Sequence, residues 1–254
     1  MPKDALTVTG IYGKLPSRGD FIGRHLLRSF TDPWDQWLQY SLAESRNRLG
    51  DGWLECYLTS PLWRFALSAG VCGPDSRIGI LMPSVDKVGR YFPLTLTASL
   101  SGRPTAGLGA LDWFQQAEAL ILTALEDDLD LEHFIDQVAA LRVPELGTTI
   151  TAPAGSSPAW HYRLASTDEL GHACEALNGI LLEQCYDGYS LWWSNGSEHI
   201  DPCMLACPQL PSGERFTGLL AGDWTRFGWL DASKNDVISN NTGRAGPTSI
   251  EESL

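Results

Sequence analysis

The sequence predicts an α+β fold, a mainly antiparallel sheet flanked by helices, and three observations support this prediction. Segments rich in β-branched and aromatic residues are interspersed with segments of helical periodicity. The links between the strands predicted in residues 63–100 are short, which favours antiparallel neighbours over crossover connections. The chain has 254 residues, 43% of them apolar, and can therefore bury a large core.

The first part of the chain is predicted to contain one long helix and four strands. Residues 6–12 are β-branched and aromatic and predict a strand that ends at Gly13. Asp32 and Pro33 have the chemistry of an N-cap and a first helical residue, so we expect a helix to begin there and to stop at Gly50. Three further strands are predicted, at residues 63–69, 77–82 and 91–100.

The remaining residues are predicted to be mostly helical. Residues 111–125 form an amphipathic stretch, and Asp130 has the chemistry of an N-cap for a second helix that ends before Pro144. The sequence Ser166-Thr-Asp-Glu169 matches a capping box and predicts a third helix. Two short elements are expected after it, a strand at residues 189–193 and a helix at residues 216–220.

These elements predict a single domain over residues 1–234. The chain has no internal repeat that would indicate a solenoid or an array. Residues 235–254 are mostly Ser, Asn, Gly and Thr with few apolar side chains, a composition that predicts a disordered tail.

The composition predicts a cytoplasmic protein that neither binds nucleic acid nor inserts into a membrane. The net charge of −13 opposes binding to a phosphate backbone. No apolar run approaches the ~18 residues of a membrane span, and no N-terminal signal is visible. The six cysteines match no small disulfide framework, which is typical of thiols in a reducing compartment.

Charge is unevenly distributed along the chain. Residues 1–103 contain 12 Lys and Arg against 9 Asp and Glu, a net charge of +3. Residues 104–254 contain 6 against 22, a net charge of −16. Either the second part exposes solvated acidic helix faces, or the protein has two faces of opposite potential that steer different partners.

Sequence motifs of common enzyme classes are absent. The chain has no G-x-x-x-x-G-K-[ST] phosphate loop, no G-x-G-x-x-G, no G-x-S-x-G and no H-E-x-x-H. Cys203, Cys207 and His199 lack the paired spacing of a zinc site, and the five histidines have no Ser or Cys partner by spacing. We therefore predict no catalytic residue, no metal site and no cofactor.

A loop rich in glycine and charge follows the first predicted strand. It has the sequence Gly13-Lys-Leu-Pro-Ser-Arg-Gly-Asp-Phe-Ile22. Glycines beside charged side chains are typical of a loop that adopts one defined shape for a function. The candidate binding residues here are Lys14, Ser17, Arg18, Asp20 and Arg24.

A second unusual segment, Leu81-Met-Pro-Ser-Val-Asp-Lys-Val-Gly-Arg-Tyr-Phe-Pro93, predicts a hairpin between two apolar strands. Asp86 and Arg90 either form a local ion pair there, or the guanidinium braces the first loop or binds a carboxylate or phosphate. With the preceding Trp63-Arg-Phe65, this segment supplies the candidate binding residues Trp63, Arg64, Ser84, Asp86 and Arg90.

These segments resemble the TagF (ImpM) family of type VI secretion accessory proteins. The resemblance lies in Tyr12-Gly-Lys-Leu-Pro-Ser-Arg-Gly-Asp-Phe-Ile22, in Trp63-Arg-Phe65 and in Met82-Pro-Ser-Val-Asp-Lys-Val-Gly-Arg-Tyr-Phe-Pro93. It implies a longin- or profilin-like α-β-α sandwich. It also implies a cytoplasmic, non-enzymatic repressor of type VI secretion that acts after translation by binding the forkhead-associated-domain scaffold of the apparatus. The family has no established catalytic residues, so none is carried over.

Two alternative roles for the charged residues stay open at this point. The first is a hydrolase or phosphatase that uses Ser84 or Asp86 near Arg90, which requires a general base within ~2.6–3.2 Å of the nucleophile. The second is structural and is compatible with binding, because a partly buried ion network stabilises a fold when every charge is paired. The members of that network would be Lys14, Asp20, Asp86 and Arg90.

Overall fold

A seven-stranded antiparallel sheet lies at the centre of the described part of the chain, residues 8–126, 128–143 and 160–233 of a computed structural model. In chain order its strands are β1 (Gly10–Gly13), β2 (Ile22–Arg24), β3 (Trp63–Leu67), β4 (Ser76–Met82), β5 (Leu94–Leu100), β6 (Tyr189–Ser194) and β7 (Cys203–Pro208). Their order across the sheet is β2-β1-β5-β4-β3-β6-β7, with every neighbouring pair antiparallel. The predicted α+β class is confirmed.

Helices cover both faces of the sheet. One face packs against α1 (Arg28–Leu49), α2 (Trp53–Leu58) and α6 (Gly213–Ala221). The other packs against α3 (Leu111–Thr123), α4 (Leu131–Ala140) and α5 (Leu170–Cys185). Successive side chains of a strand point to opposite faces of the sheet, so each strand contributes to both cores. Phe65 and Leu67 of β3 face α1, whereas Ala66 between them belongs to the core beneath α3.

None of the helices in the described residues combines the length and apolar character that crossing a membrane requires.

Aromatic rings fill the core between the sheet and α1. The Trp34 side chain is fully buried, and the ring centroids of Phe30, Trp37 and Phe65 lie 5.3, 4.7 and 4.9 Å from its own. Its indole N–H donates to Thr95 Oγ1 at 3.0 Å, which satisfies the one polar atom of the ring inside the core. This packing holds α1 against β3 and β5.

Helix α1 begins at Arg28, upstream of the predicted N-cap Asp32, so the predicted start is wrong. Pro33 lies inside the helix. Phe30 is buried and stacks on Trp34, four residues later, so the apolar face of the helix extends upstream of the predicted cap. Tertiary packing of this face contributes more to helix stability than the local capping signal does.

Some of the other helix ends agree with the sequence prediction, whereas three elements are not predicted by the sequence. Gly50, with φ at 55°, ends α1 as predicted, and Asp130 caps α4. The sequence does not predict β2, β7 or α2, because each is short and carries a weak pattern; β2 has only three residues, one of them Gly23. Pro144 and the tail predicted at residues 235–254 lie outside the described residues.

Replacing Asp130 with alanine is expected to lower the free energy of unfolding by about 1 kcal/mol. The Asp130 side chain accepts a hydrogen bond from the His133 backbone N–H at 3.2 Å, and alanine leaves that N–H without its cap. Asp128→Ala is the matched control, since this carboxylate is exposed just before the helix. Urea unfolding followed by far-UV circular dichroism measures the difference. Equal stabilities of the two variants would contradict the capping role.

Candidate functional site

The two loops singled out in the sequence meet at one end of the sheet. The first loop, residues 14–21, connects β1 to β2, and the hairpin loop, residues 83–93, connects β4 to β5. Because β1 pairs with β5, the two loops leave the sheet side by side. The backbone at Gly13 adopts φ 136°, and a Cβ built there would lie 2.1 Å from Pro93 O, so only glycine permits this approach. The Lys87 N–H then donates to Arg18 O at 3.0 Å.

Asp86 holds the two loops together. Its Oδ2 accepts hydrogen bonds from Lys14 Nζ and Arg90 Nε, both at 2.7 Å. Its Oδ1 accepts the backbone N–H groups of Val88 at 3.0 Å and Arg90 at 2.9 Å. Arg90 also donates to Gly19 O, so one guanidinium contacts both loops. Each oxygen of the carboxylate therefore has two donors, and the ion pair spans the junction.

The Asp86 side chain is fully buried, and that of Lys14 is 5% exposed. Burial by itself raises the pKa of Asp86, but the hydrogen bonds from Lys14, from the backbone N–H and side chain of Arg90, and from the Val88 N–H together lower it further. The net effect holds the pKa of this carboxyl well below its usual range. Asp86 is therefore charged at neutral pH and attracts both cations.

Ser84 is buried at the base of the hairpin loop, and its hydrogen-bonding groups are occupied. Its Oγ donates to Lys14 O at 2.8 Å. The Tyr57 hydroxyl donates to Ser84 O at 2.8 Å and accepts the Ser84 N–H at 3.0 Å. Burial raises the pKa of Tyr57, which keeps this phenol neutral in both bonds. Within the described residues no histidine or carboxylate forms a hydrogen bond with Ser84 Oγ, so the general base that the hydrolase alternative requires is not provided there.

An exposed surface of cations and apolar side chains lies over the ion pairs of Asp86 with Lys14 and Arg90, which we call the Asp86 clamp. Phe21 is 49% exposed, with its ring 4.8 Å from that of Phe92 and with Lys14 Nζ 5.0 Å from its centroid. Val88 at the tip of the hairpin loop is 67% exposed. We call the loop surface the set Arg18, Phe21, Arg24, Lys87, Val88 and Arg90. It combines four cations with two apolar groups, beside the exposed carboxylate of Asp20.

The remaining predicted site residues have other surroundings. Ser17 is half-buried, and its Oγ has no partner among the described residues. Asp20 is exposed and forms no ion pair in the described part of the chain, so it lies outside the Asp86 clamp.

Trp63 and Arg64 face the interior of the protein. The Trp63 indole N–H donates to Leu219 O of α6 at 3.1 Å. Arg64 points to the opposite face of the sheet and forms a bidentate pair with Glu118 of α3, at 2.5 and 2.9 Å. Neither side chain belongs to the loop surface, and both join the sheet to its helices.

Sequence reasoning missed three members of the site. Phe21 and Val88 carry the apolar part of the loop surface, and their signal was available, because each is a large apolar residue inside a polar loop. Tyr57 anchors Ser84 but belongs to α2, an element that the sequence does not predict. No local pattern identifies it.

The described residues contain no group of three or more His, Cys, Asp or Glu side chains arranged to hold a metal ion. The Cys203 and Cys207 thiols are half-buried and buried respectively, and burial raises the pKa of each. Protonated thiols are poor nucleophiles and poor metal ligands.

Two comparisons with known proteins found a match. Residues 10–141 match the model of the TagF N-terminal domain, described as type VI secretion system-associated. The crystal structure of PA0076 from Pseudomonas aeruginosa PAO1 is similar to this chain, with a TM-score of 0.74 and 35% sequence identity over 85% of this chain and 94% of that one. No curated protein matches the sequence. The residues matched by the family model include both loops of the loop surface.

Proposed function

Because the chain belongs to the TagF family of type VI secretion system-associated proteins, we propose that it is a non-enzymatic accessory regulator that represses type VI secretion after translation. The proposed mechanism is binding of the forkhead-associated-domain scaffold of the apparatus in the cytoplasm. The loop surface is the proposed contact.

The construction of the loop surface is the observation that carries this proposal. A buried carboxylate bound by two cations fixes the backbones of both loops, while Arg18, Lys87 and Val88 stay exposed on them. Side chains held on a rigid backbone lose less conformational entropy on binding than those on a mobile loop. Aromatic and Arg side chains are also the residues that most often dominate binding energy at interfaces.

Removing two exposed cations, in the variant Arg18→Ala/Lys87→Ala, is expected to slow association with the scaffold by about fivefold, because these charges steer the encounter. Surface plasmon resonance at about 50 mM NaCl measures this rate. Arg226→Ala removes an exposed cation after α6 and is the matched control. Raising NaCl to about 500 mM is expected to remove most of the difference through screening. An association rate that changes less than about twofold between the two salt concentrations would contradict electrostatic steering.

Two further variants identify which surface of the protein contacts the scaffold. Phe21→Ala tests an apolar contact, because it deletes half-exposed aromatic area without changing charge. Glu126→Gln/Asp128→Asn neutralises two exposed carboxylates between α3 and α4 and tests the acidic face of the protein. If only this last variant alters binding, the loop surface is not the contact. If no scaffold binding is measurable at low salt with the wild-type chain, the proposed function is wrong.

A further inference from the structure

The two edges of the sheet differ in how they are protected against pairing with another chain. β2 forms one edge; it has only three residues and carries the exposed Arg24. β7 forms the other edge, and its six residues, Cys-Met-Leu-Ala-Cys-Pro, include no charged side chain. Short length and charge are the usual protections of an edge strand, and β7 has neither.

The backbone N–H and C=O groups of Met204 and Ala206 point away from the sheet. The Gln209 N–H donates to Gly188 O at 2.8 Å, so these two residues form a hydrogen-bonded pair at the end of the β6–β7 ladder. Bonded and non-bonded pairs alternate along an antiparallel ladder. Met204 and Ala206 lie an odd number of residues from Gln209 and therefore belong to non-bonded pairs, whose backbone groups face outward. Within the described residues neither makes another backbone hydrogen bond.

This edge is self-complementary about Leu205. With a second copy in antiparallel orientation and Leu205 on the two-fold axis, Met204 lies opposite the second copy's Ala206, and Ala206 opposite its Met204. Each such pair exchanges two N–H···O bonds, so every outward donor of the two strands finds an acceptor. Pro202 then lies opposite the second copy's Pro208, and because proline has no N–H, no donor is left unpaired at the ends of the contact.

The side chains at this edge suit the same contact. Leu205 is half-buried against the core beneath α1. Met204 and Ala206 point to the opposite face of the sheet, where Met204 is 54% exposed and Ala206 is exposed. In the antiparallel pair Leu205 contacts its own copy on the axis, and Met204 lies beside the second copy's Ala206. The contact therefore buries apolar area without removing any charge of the strand from water.

We propose that two copies of this chain associate through β7 and form one continuous antiparallel sheet across a two-fold axis. β7 lies at the opposite edge of the sheet from β2, so this contact is independent of the scaffold contact proposed above. A two-fold contact uses the same strand of both copies, so association ends at the dimer. A contact through one strand is small, and we expect a dissociation constant of about 1–100 µM.

Sedimentation velocity of the full chain at about 1–500 µM measures this equilibrium. We expect the weight-average mass to rise from the monomer value toward twice that value. Raising NaCl from about 50 to about 500 mM is expected to strengthen the dimer, because each copy has a net charge of −13 and the strand itself has none. A scaffold contact through the loop surface weakens with salt, so the two associations are distinguishable. A monomer at every concentration would overturn the proposal.

Edge variants connect dimerisation to β7. Met204→Lys places a charge on each strand of the contact and is expected to weaken the dimer at least about tenfold. Leu230→Lys, at a position that is 85% exposed after α6, is the matched control and is expected to leave the dimer unchanged. Ala206→Pro removes an outward N–H that the β6–β7 ladder does not use, and it is also expected to weaken the dimer. Equal dimerisation of the two Lys variants would overturn the assignment to β7.

Leu205→Cys tests the two-fold axis. The Cα atoms of a non-bonded antiparallel pair lie about 4.5 Å apart, within the range that a disulfide spans. The background Cys174→Ser/Cys185→Ser removes two exposed thiols, and oxidation with diamide is then expected to give a covalent dimer. A dimer that does not cross-link at this position would overturn the register. Slow hydrogen exchange of the Met204 and Ala206 amides in a monomer would show that the chain itself covers β7, which would also overturn the proposal.

Discussion

Replacing Asp86 with alanine is expected to lower the free energy of unfolding by about 3–5 kcal/mol, because it leaves a buried cation without its partner. The stranded cation is Lys14, whose side chain is 5% exposed; Arg90 is 57% exposed and can be solvated. Asp20→Asn is the matched control, since it removes an exposed carboxylate of the first loop that forms no ion pair within the described residues. Chemical denaturation of both variants measures the difference. A loss below about 1 kcal/mol for Asp86→Ala would show that the clamp is not an important source of stability.

The same carboxylate makes stability depend on acid pH. Because the pKa of Asp86 is lower in the folded chain than its ordinary value of about 3.9, protonation favours the unfolded chain. The contribution of Asp86 is therefore fully present above the ordinary value and declines as the pH falls below it toward the folded pKa. We expect the difference in stability between the wild type and Asp86→Asn to shrink as the pH is lowered from about 6 to about 2. A constant difference over this range would contradict an ionised Asp86.

A second Asp86 variant separates stability from binding. The pair Lys14→Met/Asp86→Leu removes both buried charges and keeps similar volume, so it is expected to regain most of the stability that Asp86→Ala loses. It does not restore the bonds from Asp86 to the Val88 and Arg90 backbone N–H groups. Slower scaffold binding in this stable variant would show that the Asp86 clamp positions the loop surface for binding. Unchanged binding would indicate a purely structural network.

The sequence predicts local features of this protein better than contacts between distant residues. Asp130 caps a helix three residues away, and Asp86 and Arg90 pair across one turn, so both interactions follow from short-range rules. Lys14 and Asp86 are 72 residues apart, and Arg64 and Glu118 are 54 apart. Which charge meets which depends on the strand order, and no local pattern encodes that order.

The two loops of the candidate site could nevertheless be found from their composition. Gly13 and the charged residues after it form an unusual segment, and the hairpin loop is recognisable by its prolines and Gly89. Tyr57 could not be found in this way, because it belongs to α2, an element that the sequence does not predict.

Replacing Trp34 with alanine is expected to cause a loss of about 3–5 kcal/mol in the free energy of unfolding, a large share of the 5–15 kcal/mol that is typical of a domain. The substitution opens a cavity between α1 and the sheet and removes the donor to Thr95 Oγ1. Trp34→Phe keeps a ring in the cavity and loses only the N–H and part of the area, so we expect about half that loss. Tyr40→Ala, on the same helix at 63% exposure, is the control and is expected to cost less than about 0.5 kcal/mol. Urea unfolding is followed by far-UV circular dichroism, because the substitution itself changes the tryptophan fluorescence. Comparable losses of stability for Trp34→Ala and Tyr40→Ala would contradict the central position of Trp34 in the core.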